Sequence, residues 1–277
     1  MSRRCIGSHT SARARRKRKN HGVGGGATLP PPPTRHNIMH ATRNLSISRL
    51  EGQRQQDTDD VLIQEQHVTI LVGGKQVLET DCSPGSLCEL VYGHLLAVGA
   101  IAAPADVDAV EIQRDEGIIA VDLADGICVP SRSPEPESVR GSFSVSADRV
   151  SEAVRSAEDH GELFRQTGGT HLAAIVSSDS DGIFVEDISR TCALEKVLGT
   201  ALRRGIDFGR SLLVVTSRVP MQFVVKAAHA GIPIIAAVSA PTYQAVEAAD
   251  RLGICLCGFV RGERLNVYSQ RWRIGLR

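Results

Sequence analysis

Two segments that each open near a proline and close on a glycine, set between three apolar runs, constrain this chain more than any other feature. Residues 212–216, 234–238 and 254–260 are short, largely aliphatic runs with little polar alternation. Strands read this way when both of their faces are buried. Between them, residues 220–230 and 241–252 carry Pro at the start and are followed by Gly231 and Gly253. Proline suits a first helical turn, where no N–H is needed, and glycine suits the left-handed stop. Strand–helix–strand–helix–strand predicts two right-handed crossovers and a parallel three-strand unit. Residues 265–268 return across Arg261-Gly262-Glu263-Arg264 as a final hairpin. The expected class is α/β, a mixed sheet covered by helices.

Upstream, residues 171–177 and 183–186 read as strands joined by a turn at 179–182, and residues 192–204 as a helix stopped by Gly205. Residues 68–72 and 75–80 flank Gly73-Gly74, a two-residue turn that needs positive φ. Ser83-Pro84 predicts a helix start, with Leu87, Leu90, Val91, His94, Leu95 and Val98 on or beside one face. Residues 108–114 and 118–123 form another predicted hairpin. Residues 124–142 hold Pro130, Pro134 and Pro136 in a polar stretch and predict a long loop. Ser146 then caps a helix expected to run to about Phe164, and Gly168-Gly169 turn the chain into the 171 strand.

Three regions follow: a basic, disordered leader over 1–59, a smaller hairpin and helix region over 60–140, and an α/β main domain over 141–277. The net charge of +1 hides an asymmetry. Residues 1–50 hold eleven Lys and Arg and no acid, leaving 21 basic against 31 acidic residues in the remainder. Such a body disfavours nucleic-acid binding. The leader, with its Gly run and Pro30–Pro33, lacks apolar surface to offset its ordering entropy. A nucleic-acid arm and a targeting signal are the alternatives to an extension of no function. The seven cysteines are scattered and odd in number, which argues against a disulfide framework and suits a reducing cytoplasm. No stretch has the length of a membrane span. Cys255 and Cys257 point to one face of an apolar strand and read as core thiols.

In a sheet of this class, ligands bind beyond the carboxyl ends of the strands. There stand Glu186-Asp187 and Arg190, then Thr216-Ser217-Arg218, then Ser239-Ala240-Pro241-Thr242. Each group precedes a helix N-terminus, which attracts anions. Arg218, with Arg261 and Arg264, adds full charges. The set describes a site for a phosphate-bearing ligand, although Ser217, Ser239 and Thr242 also suit plain capping duty. No GxGxxG or GxxxxGK[ST] supports a dinucleotide fold or P-loop. His171 is open between a general base, a metal ligand and a core histidine bonded to backbone. A zinc deaminase would need H-x-E or C-x-E with PCxxC, and neither occurs.

These motifs resemble the formate dehydrogenase accessory sulfurtransferase family, FdhD. The matching residues are Thr167-Gly168-Gly169-Thr170-His171 with Ala173 and Ala174; Glu186-Asp187 and Arg190 with Ala193 and Lys196; Ser217-Arg218 with Lys226; Ala230-Gly231-Ile232-Pro233; Ser239–Thr242; and Gly258-Phe259-Val260-Arg261 with Asn266 and Tyr268. The resemblance implies a cytidine-deaminase-like fold and a homodimer. It implies sulfur received from a cysteine desulfurase as a persulfide and passed to the molybdenum cofactor, bis-molybdopterin guanine dinucleotide, before insertion into apo-formate dehydrogenase. Phe259, Val260, Arg261, Gly262, Glu263 and Arg264 match the cofactor-contacting segment, and Thr167, Gly168, Gly169, His171, Ser217, Arg218, Ser239 and Thr242 are placed around it. No metal of the protein's own, no nucleic acid and no membrane is implied.

The family's CGxCG loop is reduced here to Gly126-Ile127-Cys128-Val129-Pro130-Ser131. Cys128 is either the surviving persulfide carrier or an unrelated loop thiol. Ser189-Arg190-Thr191-Cys192-Ala193-Leu194-Glu195 also departs from the family, which has Gly before the Arg, His-Asn after it and Asp before the Lys. The leading reading is a sulfur carrier, and the alternative is a non-catalytic, cofactor-binding chaperone that has lost the persulfide cysteine.

Overall fold

The parallel unit takes its place inside a six-stranded sheet. The structure is a computed structural model and describes residues 41–177 and 182–276. The leader up to residue 40 and most of the turn expected at 179–182 lie outside that range. The strands are β1 (Thr42–Glu51), β2 (Arg54–Ile63), β3 (Gln66–Val72), β4 (Lys75–Cys82), β5 (Val107–Gln113), β6 (Ile118–Leu123), β7 (His171–Ser177), β8 (Ile183–Asp187), β9 (Ser211–Val215), β10 (Ile234–Ala237), β11 (Cys255–Arg261) and β12 (Arg264–Val267). The helices are α1 (Leu87–Ala97), α2 (Ala147–Asp159), α3 (Glu162–Thr167), α4 (Arg190–Arg203), α5 (Met221–Ala230) and α6 (Tyr243–Arg251).

The large sheet runs β12-β11-β10-β9-β7-β8. β9, β10 and β11 are mutually parallel, while β7 lies antiparallel to both β9 and β8. The runs that lacked polar alternation are buried on both faces. Leu213, Val215, Ile235 and Leu256 face a core shared with α1, α4, α5 and α6. Leu212, Val214, Ile234, Cys255 and Cys257 face the core beneath α2. The Cys255 and Cys257 sulfurs are 3.9 Å apart and fully buried, as core thiols should be.

The two upstream hairpins join into one four-stranded sheet, β4-β3-β6-β5, through a parallel pairing of β3 with β6 that the sequence did not announce. Gly73 and Gly74 have φ of 54° and 77°, the left-handed pair their turn demands. Three expectations change. Residues 42–59, assigned to a disordered leader, belong to the hairpin β1–β2, whose long strands pair in unbroken register. Helix α1 begins at Leu87 rather than beside Ser83, because Ser83 is bound instead by Asp187 and Lys196. The helix capped by Ser146 stops at Asp159; after His160 and Gly161 a separate helix, α3, begins.

Helices α1 and α4 cross at two glycines. A Cβ on Gly93 would lie 1.6 Å from the Glu195 carbonyl oxygen, and one on Gly199 would lie 1.9 Å from that of Glu89. Only hydrogen fits, so the backbones approach as no other residue would allow. Beside the crossing, Glu195 is buried and bound by His94 Nδ1 at 3.2 Å and by Lys226. His94 therefore is a satisfied core histidine. Burial pushes the Glu195 carboxyl up, but Lys226 and His94 outweigh it and hold the pKa below its ordinary 4.5.

Two outcomes follow from these contacts. Gly199→Ala should lower unfolding stability by about 3 kcal/mol or more, since overpacking against backbone cannot relax cheaply; chemical denaturation of the two proteins measures it. The Glu195 pairing contributes fully above pH 4.5 and is lost as pH falls through its depressed folded pKa. Acid titration of stability should therefore drop steadily below that pH, and Lys226→Met should flatten the drop while lowering the plateau.

Candidate functional site

The turn at 167–171 stands on a carboxylate bracket. Helix α3 is only six residues long, and its N-terminal N–H groups need partners. Glu186, at the end of β8, accepts from Leu163 N at 2.7 Å and Phe164 N at 2.8 Å. The same carboxylate accepts from Thr170 Oγ at 2.9 Å. One side chain thus holds both ends of the turn. Thr167 Oγ donates to Leu163 O at 2.8 Å and accepts from Gly169 N at 3.1 Å. Gly168 takes φ of 66° to end the helix, and a Cβ on Gly169 would meet Ile63 of β2 at 2.9 Å.

Behind this bracket lies a buried ion pair. Asp187 is fully buried and accepts from Lys196 Nζ at 2.6 Å, Ser189 N at 2.8 Å and Ser83 N at 3.2 Å. Lys196 Nζ also donates to Ser83 O at 2.7 Å. Glu186, Asp187 and Lys196, read as part of a ligand motif, thus hold the floor from beneath.

Because β7 is antiparallel to β9, its first residue sits at the carboxyl end of β9. Leu172 N donates to Thr216 Oγ at 3.0 Å, and Thr216 N to Leu172 O. Thr167, Gly168, Gly169 and His171 therefore share one sheet edge with Ser217 and Arg218 after β9, Ser239 and Thr242 after β10, and the β11–β12 turn. Phe259 N donates to Ser239 O at 3.2 Å, joining the last two groups. Phe259 adopts φ of 52° at a bulge and is partly exposed. Arg261, Gly262, Glu263 and Arg264 are exposed in the turn, as is Arg218. The guanidinium groups of the three arginines have no hydrogen-bond or ion-pair partner among the described residues. Unpartnered cations beside glycine backbone suit a phosphate-bearing ligand.

Other members of the predicted set do different work. Val260 is buried beneath the sheet, so its side chain does not face this edge. Thr242 caps α6, accepting from Ala245 N at 3.2 Å. Ser217 is buried and donates to the Arg218 carbonyl, and α5 starts four residues later without its help. His171 is exposed rather than a core histidine, and partial burial and the Arg190 charge hold its pKa below the ordinary value. Among the described residues no group of three or more His, Cys, Asp or Glu side chains is placed to hold a metal ion.

Cys128 is exposed in the long loop. Its loop is tied down further along, where Ser133 Oγ bonds Val98 O and His229 Nε2, and Val139 N donates to Leu252 O. His229 and Leu252 end α5 and α6, which places these ties at the amino edge of the parallel strands, opposite the arginines. Arg273 continues the fastening, donating to Val139 O at 3.1 Å and Phe143 O at 3.0 Å.

The FdhD/NarQ family model matches residues 63–131 and 126–275, nearly all of the described chain. The chain belongs to the FdhD/NarQ family. A protein of Methanothermobacter thermautotrophicus named sulfur carrier protein FdhD is 32% identical over 255 residues, which cover 85% of this chain and all of that protein. One of the same name from Geobacillus kaustophilus is 30% identical over 84% of this chain and 97% of its own. The crystal structure of a putative formate dehydrogenase accessory protein from Desulfotalea psychrophila shares the fold, with a TM-score of 0.72, 23% identity and coverage of 84% and 99% of the two chains. No helix among the described residues is long and apolar enough to cross a membrane.

Sequence reasoning toward this family missed the supports. Ser83 lies 104 and 113 residues from its partners, and no local signal marks that contact. Lys196→Met should cost about 3–5 kcal/mol by leaving Asp187 buried and unpaired. Denaturant unfolding checks it, and double replacement with Asp187→Leu should recover part of the loss.

Proposed function

We propose that this chain is a sulfur carrier that serves formate dehydrogenase. It takes sulfur from a cysteine desulfurase as a persulfide on Cys128 and passes it to bis-molybdopterin guanine dinucleotide before that cofactor enters apo-formate dehydrogenase. The observation that carries the reading is the match, over nearly the whole of their length, to proteins named sulfur carrier protein FdhD. The exposed thiol supports it, because a carrier must be reached by its donor. In the first step the Cys128 thiolate attacks the outer sulfur of the donor's persulfide; an S–S bond forms to Cys128 and the donor leaves as a thiolate.

The carboxyl edge supports the second half of the reading. Gly168 leaves the turn's backbone open at this edge, with nothing within 4 Å of where a Cβ would stand, while Arg218, Arg261 and Arg264 supply charge for a ligand's phosphates. A homodimer, as the family resemblance implies, would present two such edges to one bis-substituted ligand.

Incubation with a cysteine desulfurase and cysteine, followed by intact mass, should show added sulfur that Cys128→Ala abolishes. An unlabelled wild type that still binds guanosine diphosphate would make the chain a cofactor-binding chaperone without the carrier step. Arg261→Ala should weaken guanosine diphosphate binding about tenfold, the loss of one charge-assisted phosphate contact of about 1.5 kcal/mol. Unchanged affinity in Arg261→Ala and in Arg264→Ala, measured by calorimetry, would remove the nucleotide from this edge.

A further inference from the structure

Residues 139–146 form a strap at the amino edge of the large sheet, just before α2 begins. Arg273, almost wholly buried, holds it along one side. The guanidinium donates to Val139 O and Phe143 O, and Arg273 O accepts from Val145 N at 2.8 Å. Side chains alternate: Phe143 and Val145 pack on the core beneath α2, while Ser142 and Ser144 are exposed. An extended segment behaves this way. In it, the N–H and C=O of one residue point to one side, and those of the next residue to the other. Phe143 O and Val145 N meet Arg273, so Ser142 and Ser144 turn their main-chain groups the opposite way. Those groups have no partner among the described residues.

A cavity of about 760 Å³ opens along this strap. Residues 141–146 form one wall, and Asp207, Gly209, Arg210 and Leu212, at the entry to β9, form the other. Arg149 closes one end, and Arg273 is not among the lining residues. The cavity therefore lies on the strap's unpaired side. We propose that this groove takes an extended, acidic peptide segment of a partner protein, which adds to the strap as a strand. Free donors and acceptors recurring at every second residue, about 6.8 Å apart, are the complement of an extended peptide's main chain. The volume falls within the range of about 300–1,000 Å³ typical of ligand sites.

Charge selects the side chains. Arg149 and Arg210 outnumber Asp207 in the lining, and the first turn of α2 adds partial positive charge. Asp207 is already engaged, accepting from Gly209 N at 2.9 Å, and Arg149 shares part of its charge with Glu152 at 2.8 Å. The chain's own leader has the wrong sign for this groove, since residues 1–40 hold nine Lys and Arg and no acid. The groove stands apart from the carboxyl edge, so this reading does not depend on sulfur transfer or on the nucleotide.

The full chain is titrated into a fluorescein-labelled Val-Glu-Val-Glu-Val amide and followed by fluorescence anisotropy. Saturable binding is expected. N-methylation of one alternate set of peptide amides should weaken it about tenfold, while N-methylation of the other set leaves it unchanged. Ser144→Pro removes a strap donor yet keeps the segment extended, and should weaken binding by a similar factor. The Val-Lys-Val-Lys-Val amide should bind about fivefold more weakly than the acidic peptide. Absence of saturation by about 1 mM acidic peptide would overturn the proposal. So would equal affinity of the two methylated sets, unchanged binding to Ser144→Pro, or a preference for the lysine peptide.

Discussion

The buried Asp187–Lys196 pair is the contact on which the rest of the architecture turns. An isolated carboxylate in a core is prohibitively costly, so each group is tolerable only because the other and the Ser83 main chain complete its bonds. Those three residues come from β8, α4 and the segment after β4. The pair therefore fixes the small sheet against the large one, and it does so directly behind the turn that floors the candidate site. Glu186, one residue earlier on the same strand, faces the other way and holds that turn. Adjacent residues of one strand point to opposite faces. Two neighbouring acids thus brace the interior and shape the edge.

The division between legible and illegible follows from locality. The parallel unit was readable because apolar runs, proline starts and glycine stops are all local signals, and β9 to β11 with α5 and α6 lie within two residues of the expected bounds. The hairpin at Gly73-Gly74 was readable for the same reason. The parallel pairing of β3 with β6 was not, since nothing in either strand names its partner. Ser83 looked like a helix cap because serine before proline usually is one, and a lysine more than a hundred residues away overrode that preference. The hairpin β1–β2 was missed because its polar composition resembles the leader it follows, and pairing rather than burial holds it.

The candidate site divides along the same line. Its carboxyl edge could be foreseen, because strand polarity alone sends the ends of β8, β9, β10 and β11 to one side. Which side chains face outward could not. Val260 matched the cofactor segment as well as its neighbours did, but the bulge at Gly258–Arg261 turns Phe259 out and leaves Val260 in the core. Gly258 is forced by the same geometry, since a Cβ there would meet Pro241 at 2.9 Å. The position of Cys128 was likewise beyond reach, because a loop's course is set by where its few polar groups find partners.

The departure at residues 189–196 bears on the brace more than on the rim. The resemblance puts His-Asn where Thr191 and Cys192 stand. Cys192 is buried against Thr80 and the Asp81 carbonyl of β4. The change from Asp to Glu195 falls deeper, beside the α1–α4 crossing, where His94 and Lys226 bind the longer carboxylate and its Oε2 is left without a partner among the described residues. Both substitutions therefore alter how helix α4 is held. Residues that match the family at the rim, Thr167–His171, Ser217-Arg218 and Phe259-Val260-Arg261, are positioned by β7, β9 and β11, whose pairings do not pass through either changed side chain. The backbone of the candidate edge is thus carried by strand pairings that are independent of the two changed side chains in α4.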